Sequence, residues 1–267
     1  MKLVKAHAFG NDFLLADALE MHGVLDLPAT TRAVCDRHRG VGADGLIVYD
    51  TDARRTAMRL LNADGSRSEI SGNGVRCLAA WLARTSRVSA GGTIDIETDA
   101  GTKRLELLDA ANGRQTFRAA MGQPEQVTRA RIRVGDADVE AVTLRVGNPQ
   151  CVVLGDVTEQ RLHTIGAALA VHPHFPEGTN VELASVASPD HVRILIWERG
   201  VGPTESSGTG ACAAAVAAIQ FAGASRSVQV EAPGGTQRVE WRDDGLYLTG
   251  WAEIVAEVMW LKAEHRS

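Results

Sequence analysis

The stretch "ESSGTGACAAAVAAIQFA", Glu205–Ala222, opens with two serines and a Gly-Thr-Gly turn and then runs on as an apolar helix pattern. A second stretch, "SGNGVRCLAAWLAR" at Ser71–Arg84, has the same form, Ser-Gly-X-Gly followed by a helix pattern, about half the chain earlier. A repeat on that scale predicts two similar halves rather than a solenoid, whose units are far shorter.

Outward from these two helices the chain reads mostly as strands. "KLVKAHA", "GLIVYD", "AMRLLNAD", "TIDIETD", "KRLELLD", "CVVLGD", "HVRILIWE", "SVQVEA", "QRVEWR" and "GLYLTG" are short runs bounded by Gly, Asp, Asn or Pro. Two further helix patterns, "TTRAVCDRH" and "EQRLHTIGAALA", complete the set. Many strands with one strong helix per half predict an α+β fold rather than strict βαβ alternation. The turn-rich "DAANGRQ" near Asp109 is the candidate crossover. The expected division is an N-terminal half over 1–112, joined by the C-terminal strand 252–267, and a C-terminal half over 113–251.

The chain has 267 residues, 45% of them hydrophobic and 23% charged, with a formal net charge of -5. No basic footprint for nucleic acid is present, and no run of about 18 apolar residues suggests a membrane span. The start, "MKLVKAHAFGND", lacks the pattern of a signal peptide. Cys35, Cys77, Cys151 and Cys212 are widely spaced, without metal-type pairing, and read as free thiols of a reducing compartment. The expectation is a soluble cytoplasmic protein with no metal, nucleic-acid or membrane partner.

A helix that begins at a glycine turn offers unpartnered N–H groups and the positive end of its dipole, so a carboxylate or phosphate is a natural guest. One such turn alone reads as a serine cap. Two, one per half, can hold one anion from both sides if the halves face a common cleft. The head residues Ser71 and Ser207 then flank the carbon beside that anion. One group on each face of a carbon is what stereoinversion next to a carboxylate needs. Further polar residues stand at strand ends and bends: Asn11, Asn62, Asn148, Asn180, Glu198 and Arg199. Singly each is a turn former. Together they suit an amino-acid zwitterion, with Arg and amides for carboxylates and Glu for an ammonium.

The segments "GNDF", "GVGADG", "LLNADGS", "SGNGVRC", "GNP", "FPEGTNVE" and "ERGVGPT…SGTGACAAA" resemble, in order and over nearly the whole chain, the diaminopimelate epimerase family. The resemblance implies two pseudo-symmetric halves, each a strongly bent, mainly antiparallel sheet around a central helix, with the active site in the cleft between them. It also implies cofactor-independent inversion of LL-diaminopimelate to the meso form in lysine and peptidoglycan precursor synthesis, with a homodimer following from family likeness alone. Gly72, Asn73, Gly208 and Thr209 match the cradle for the reacting carboxylate. Asn62, Asn148, Asn180 and Arg199 match the distal recognition set, Glu198 the residue at a substrate amine, and Asn11 matches as well. Gly45 stands where many members carry Gln. Gln150 replaces the His of the family's "GNPH", a residue held to tune the cysteines.

In that family each glycine turn begins with cysteine, and a thiolate–thiol pair exchanges the proton; here the positions read Ser71 and Ser207. A serine hydroxyl ionises roughly five units above a thiol, so its alkoxide costs about 7 kcal/mol more. Uncompensated, that is a rate loss of about 10⁵. Compensation needs an adjacent base, and Glu198 is the candidate. Cys77 and Cys212, in the second turn of each helix among apolar neighbours, read as structural thiols. Three readings follow: an epimerase with serines as acid and base; a dehydratase or isomerase using one base such as Glu198 on another amino-acid-like substrate; and a silent amino-acid-binding homologue, including one whose thiols were exchanged to trap a ligand.

Overall fold

The computed structural model of the protein describes residues 1–51, 55–68, 70–86 and 88–261. It is a mixed α+β chain, mostly strands with few helices, in two compact units: Met1–Phe117 with Trp251–Ser267, and Arg118–Gly250.

The first unit holds β1 (Lys2–Ala8), β2 (Asn11–Asp17), helix α1 (Leu27–Cys35), β3 (Gly45–Thr51), β4 (Thr56–Asn62), the short β5 (Arg67–Ser68), helix α2 (Gly72–Thr85), β6 (Thr93–Thr98) and β7 (Gly101–Ala111). β1 pairs antiparallel with β2, β2 parallel with β3, β3 antiparallel with β4, β4 antiparallel with β5 and parallel with β6, and β6 antiparallel with β7. The "DAANGRQ" stretch is a two-residue turn at Asn112 (φ 54°) and Gly113 (φ 80°), leading into β8 (Arg114–Gly122). Positive φ at both positions is what an Asn-Gly hairpin turn requires.

The second unit repeats this order. It contains β9 (Glu125–Val134), β10 (Ala137–Val146), β11 (Asn148–Leu154), helix α3 (Glu159–Arg161), a π turn over Leu162–Gly166, helix α4 (Ala167–Ala170), β12 (Asn180–Ser188), β13 (His191–Glu198), β14 (Gly202–Thr204), helix α5 (Gly208–Phe221), β15 (Ser227–Ala232) and β16 (Gly235–Arg242). β10 pairs antiparallel with β11, β11 parallel with β12, β12 antiparallel with β13, β13 antiparallel with β14 and parallel with β15, and β15 antiparallel with β16. Every pairing from β1 to β7 thus has its counterpart from β10 to β16. The last strand, β17 (Gly245–Met259), pairs with β16 over its first residues and with β1 over its last.

Each unit is built around its long helix. In α5 all residues from Ala211 to Ala218 are fully buried, among Val142, Val152, Ile194, Val230 and Leu248. A helix apolar on all sides belongs inside a core, and alanine lets strands approach it from every direction. In α2 the buried run extends from Asn73 to Ala80, while Trp81 reaches the edge and donates its indole N–H to Tyr49 Oη at 2.9 Å.

Candidate active site

The two glycine turns have the same geometry. Ser71 caps α2 in extended conformation (φ -133°, ψ 122°), and its Oγ accepts from the Gly74 N–H at 3.1 Å. Ser207 caps α5 (φ -139°, ψ 128°), and its Oγ accepts from the Gly210 N–H at 3.2 Å. Each hydroxyl therefore satisfies one orphan helix N–H and keeps its own proton to donate. Ser207 Oγ also lies 3.5 Å from Thr209 Oγ1.

In the first unit Gly45 and Asn62 stand in one row with Phe13, and Asn11 lies two residues before Phe13 at the start of β2. Phe13 opposes Gly45, and Gly45 opposes Asn62. A side chain at Gly45 has no room: a methyl there would lie 2.7 Å from the Leu61 carbonyl oxygen. The Asn11 amide is fixed at both ends. Its Nδ2 donates to Asp44 Oδ2 at 2.8 Å, and its Oδ1 accepts from Asn73 Nδ2 at 3.1 Å. The Asn73 Oδ1 accepts in turn from the buried Arg76 guanidinium. Asp44 is anchored by Arg37 at 2.8 Å, which also grips Asp12. Burial alone raises the Asp12 pKa, but hydrogen bonds from Arg37 and Lys5 overcome it and hold the carboxyl down to about 2. Asn62 sits slightly apart, donating to Ser66 Oγ at 3.0 Å.

The second unit has the matching row. Gln150 opposes Asn180, and the next register pair sets Val181 against Trp197, beside Glu198. Asn148 Oδ1 accepts from Gln150 Nε2 at 2.6 Å. Asn180 Oδ1 accepts from the Arg199 N–H at 2.9 Å, while the Arg199 guanidinium donates to the Glu177 carbonyl at 2.6 Å. Gly178 (φ 71°) makes room for that arm, since a methyl there would lie 2.8 Å from Arg199 Cδ.

Three residues near these rows carried no role in the sequence reading: Asp44, Arg76 and Glu182. All three lie within the family-like segments, and only the fold shows what they touch. Glu182 is fully buried on β12, and among the described residues neither carboxylate oxygen has a hydrogen-bond partner. Burial, and then the charge of Glu198, push its pKa well above the ordinary carboxylate range.

The cysteines are all buried free thiols. Burial pushes the Cys77 thiol up strongly, and with Asp12 nearby raises Cys35 to about 12. Among the described residues, no group of three or more His, Cys, Asp or Glu side chains is placed to hold a metal ion. No helix among them is long and apolar enough to cross a membrane.

The family model of diaminopimelate epimerase matches residues 3–127 and 142–255. A diaminopimelate epimerase of Desulforudis audaxviator is 40% identical, covering 98% of this chain and 100% of that one. That of Heliobacterium modesticaldum is 38% identical, over 94% of this chain and 96% of its own. Among solved structures, a hydroxyproline epimerase from Agrobacterium vitis superposes with a TM-score of 0.72 at 15% identity, covering 99% of this chain and 93% of its own. A methylitaconate-delta-isomerase follows with a TM-score of 0.65 at 11% identity, over 98% and 95%. These two likenesses concern the fold, which carries more than one reaction.

Proposed function

The chain belongs to the diaminopimelate epimerase family, and from that premise we propose that it inverts the α-carbon of LL-diaminopimelate by proton exchange between Ser71 and Ser207. It is an isomerase of diaminopimelate epimerase type, an enzyme of lysine biosynthesis. The observation that carries the two-base reading is the identical cap geometry of the two turns. Each presents a serine Oγ, two glycines and the start of a long buried helix. Inversion needs one such group on each face of a single carbon, so both half-sites must act on one substrate molecule.

In this reading Gly72, Asn73, Gly208 and Thr209 receive the α-carboxylate, and the two helix dipoles favour the charge that builds on it as the α-proton leaves. Asn11, Asn62, Asn148, Asn180 and Arg199 hold the distal end of the substrate, and Glu198 its ammonium. Gln150 orients Asn148 through their hydrogen bond. We place the enzyme in the cytoplasm as a homodimer, with a small-molecule amino acid as its partner and no cofactor.

A second reading, a one-base isomerase or dehydratase on another amino-acid-like substrate, draws on the neighbouring carboxyls Glu182 and Glu198 of the second unit, where burial and the charge of Glu198 raise the proton affinity of Glu182. One experiment separates the readings: incubate the protein with LL-diaminopimelate in D₂O and follow α-deuterium and meso product. Deuterium with meso product supports two-base inversion. Deuterium without inversion supports the one-base reading, and neither, with binding retained, leaves a silent binder.

A further inference from the structure

The two units place different chemistry behind their matching serines. In the first, the strand row beneath the turn is Leu15–Ile47–Leu60. A methyl on Gly74 would lie 3.0 Å from Ile47 Cδ1 and 3.6 Å from Phe13 Cε1. In the second unit the same row is Val152–Glu182–Ile196. There a methyl on Gly210 would lie 2.6 Å from Glu182 Oε1 and 3.2 Å from Ser207 Cβ. Thus Glu182 takes the place of Ile47, and Gln150 that of Phe13. The space beside the Gly210 Cα is bounded by the Glu182 carboxyl and by the Ser207 Cβ.

The fold itself has no need of this carboxyl, because the mirror position is filled by an aliphatic side chain. Burying it is unfavourable: among the described residues both oxygens lack a hydrogen-bond partner, and so does Oε1 of Gln150. Unsatisfied acceptors gathered behind one catalytic serine, and replaced by hydrocarbon behind the other, mark a place for a proton.

Resting on the functional reading above, we propose that Glu182 is the proton acceptor of Ser207, a residue that acts through the serine and not on the substrate. As the α-C–H bond breaks, its proton goes to Ser207 Oγ and its electron pair to the α-carbon and carboxylate. The Ser207 O–H bond breaks in the same event, and through one bridging water that proton ends on the Glu182 carboxylate. No free alkoxide forms at Ser207. In the reverse direction the protonated Glu182 returns the proton through Ser207. The positive end of α5 favours the ionised carboxylate, and burial makes that carboxylate more basic than an exposed one. Among the described residues Glu198, at the end of β13, raises its proton affinity, and Glu182 in turn raises the Cys151 thiol on β11.

The test measures α-deuterium exchange of LL-diaminopimelate by wild type, Glu182→Gln and Glu182→Ile, each also with Ser207→Cys. The isoleucine variant copies the other unit and keeps the fold testable by its melting temperature. Expected in the serine enzyme is a kcat loss of roughly 100-fold or more with KM little changed. The acid limb of the wild-type pH profile, set above the ordinary carboxylate range, vanishes in Glu182→Gln. With cysteine at 207, which ionises unaided, the same substitutions cost less than about threefold. Equal losses in both backgrounds, or no loss with serine, overturn the proposal. A substrate-free readout separates it from the functional reading. The infrared carboxyl band of Glu182, isolated against Glu182→Gln, shifts on Ser207→Ala if the two groups share a proton. An unmoved band overturns the relay whatever the substrate, whereas failure of LL-diaminopimelate to bind overturns the functional reading alone.

Discussion

The side-chain oxygen of Asn180 accepts the backbone N–H of Arg199 at 2.9 Å, tying the start of β12 to the residue just beyond β13. The Arg199 guanidinium is held separately by the Glu177 carbonyl at 2.6 Å. Removing the arm therefore leaves its backbone anchored. Arg199→Ala is expected to keep the melting temperature and to raise KM for diaminopimelate by roughly 10- to 100-fold, about 1.5–3 kcal/mol for a hydrogen bond to a charged group. Steady-state kinetics with calorimetric binding check it, and an unchanged KM would remove Arg199 from the site.

Restoring thiols should move rate and stability in opposite directions. Ser71→Cys with Ser207→Cys supplies groups that ionise roughly five units lower, so α-proton exchange should rise by orders of magnitude, up to about 10⁵. The same change weakens two caps, because sulfur is a poor acceptor for the Gly74 and Gly210 N–H groups. A loss of about 1 kcal/mol per cap is expected in urea unfolding. Faster exchange with no loss of stability would show that the caps contribute nothing; no gain in exchange would show that the site is not arranged for two-base inversion.

Asp44 fixes the orientation of the Asn11 amide. Its Oδ2 accepts both the Asn11 amide at 2.8 Å and the Asp12 N–H at 3.0 Å. Without it the Asn11 amide is free to turn and offer the wrong atom to Asn73. Asp44→Ala is expected to raise KM several-fold more than it lowers kcat, and to destabilise the fold by about 1–3 kcal/mol through the N–H left without its acceptor. Kinetics and chemical denaturation read the two effects separately. An equal fall in kcat and kcat/KM would mean that Asn11 acts in the transition state.

The pH dependence of stability should have two limbs of opposite origin. Asp12 is held down to about 2 in the folded protein against an ordinary 3.8, so it stabilises above the unfolded value. That contribution, about 2 kcal/mol, is lost as pH falls from about 5 to 2. Glu182 is raised, by burial first and then by Glu198. Its contribution is complete below the ordinary carboxylate pKa and is lost as pH climbs toward the folded value. Glu182→Gln should flatten the alkaline decline and leave the acid limb intact, as followed by the urea midpoint from pH 3 to 9. A decline that persists unchanged would assign it to another group.

How far the sequence speaks can be seen in particular strands. β1, β13 and β15 coincide with their sequence runs, since alternation with Gly, Asp or Pro at the ends is a strong signal. β2 and β12 are masked in the sequence because their first residues, Asn11 and Asn180, read as turn formers. β9 and β10 were passed over because "EQVTRARIRV" and "ADVEAVTLRV" carry charges on their exposed face. The candidate rows were legible as a set of amides, but not their pairing. That pairing depends on registers such as Gln150 with Asn180, which no local pattern encodes. Glu182 had a faint signal, one acid inside the buried run "NVELA", and its depth is a property of the fold alone.

The thiols supply the last test, because in the proposed mechanism Ser71 and Ser207, and no cysteine, exchange the proton. Cys35, Cys77, Cys151 and Cys212 are buried, and burial keeps Cys77 and Cys151 protonated far above neutral pH. Since the thiolate is the reactive form, a buried neutral thiol is doubly protected. Native protein treated with iodoacetamide is expected to retain full α-proton exchange and to show negligible alkylation by intact mass, whereas all four thiols react after unfolding in urea. Ser71→Cys with Ser207→Cys, alkylated natively, should gain two adducts and lose activity together. If instead the unmodified chain is inactivated as one native thiol reacts, Cys77 or Cys212 reaches the substrate and the serines are only caps.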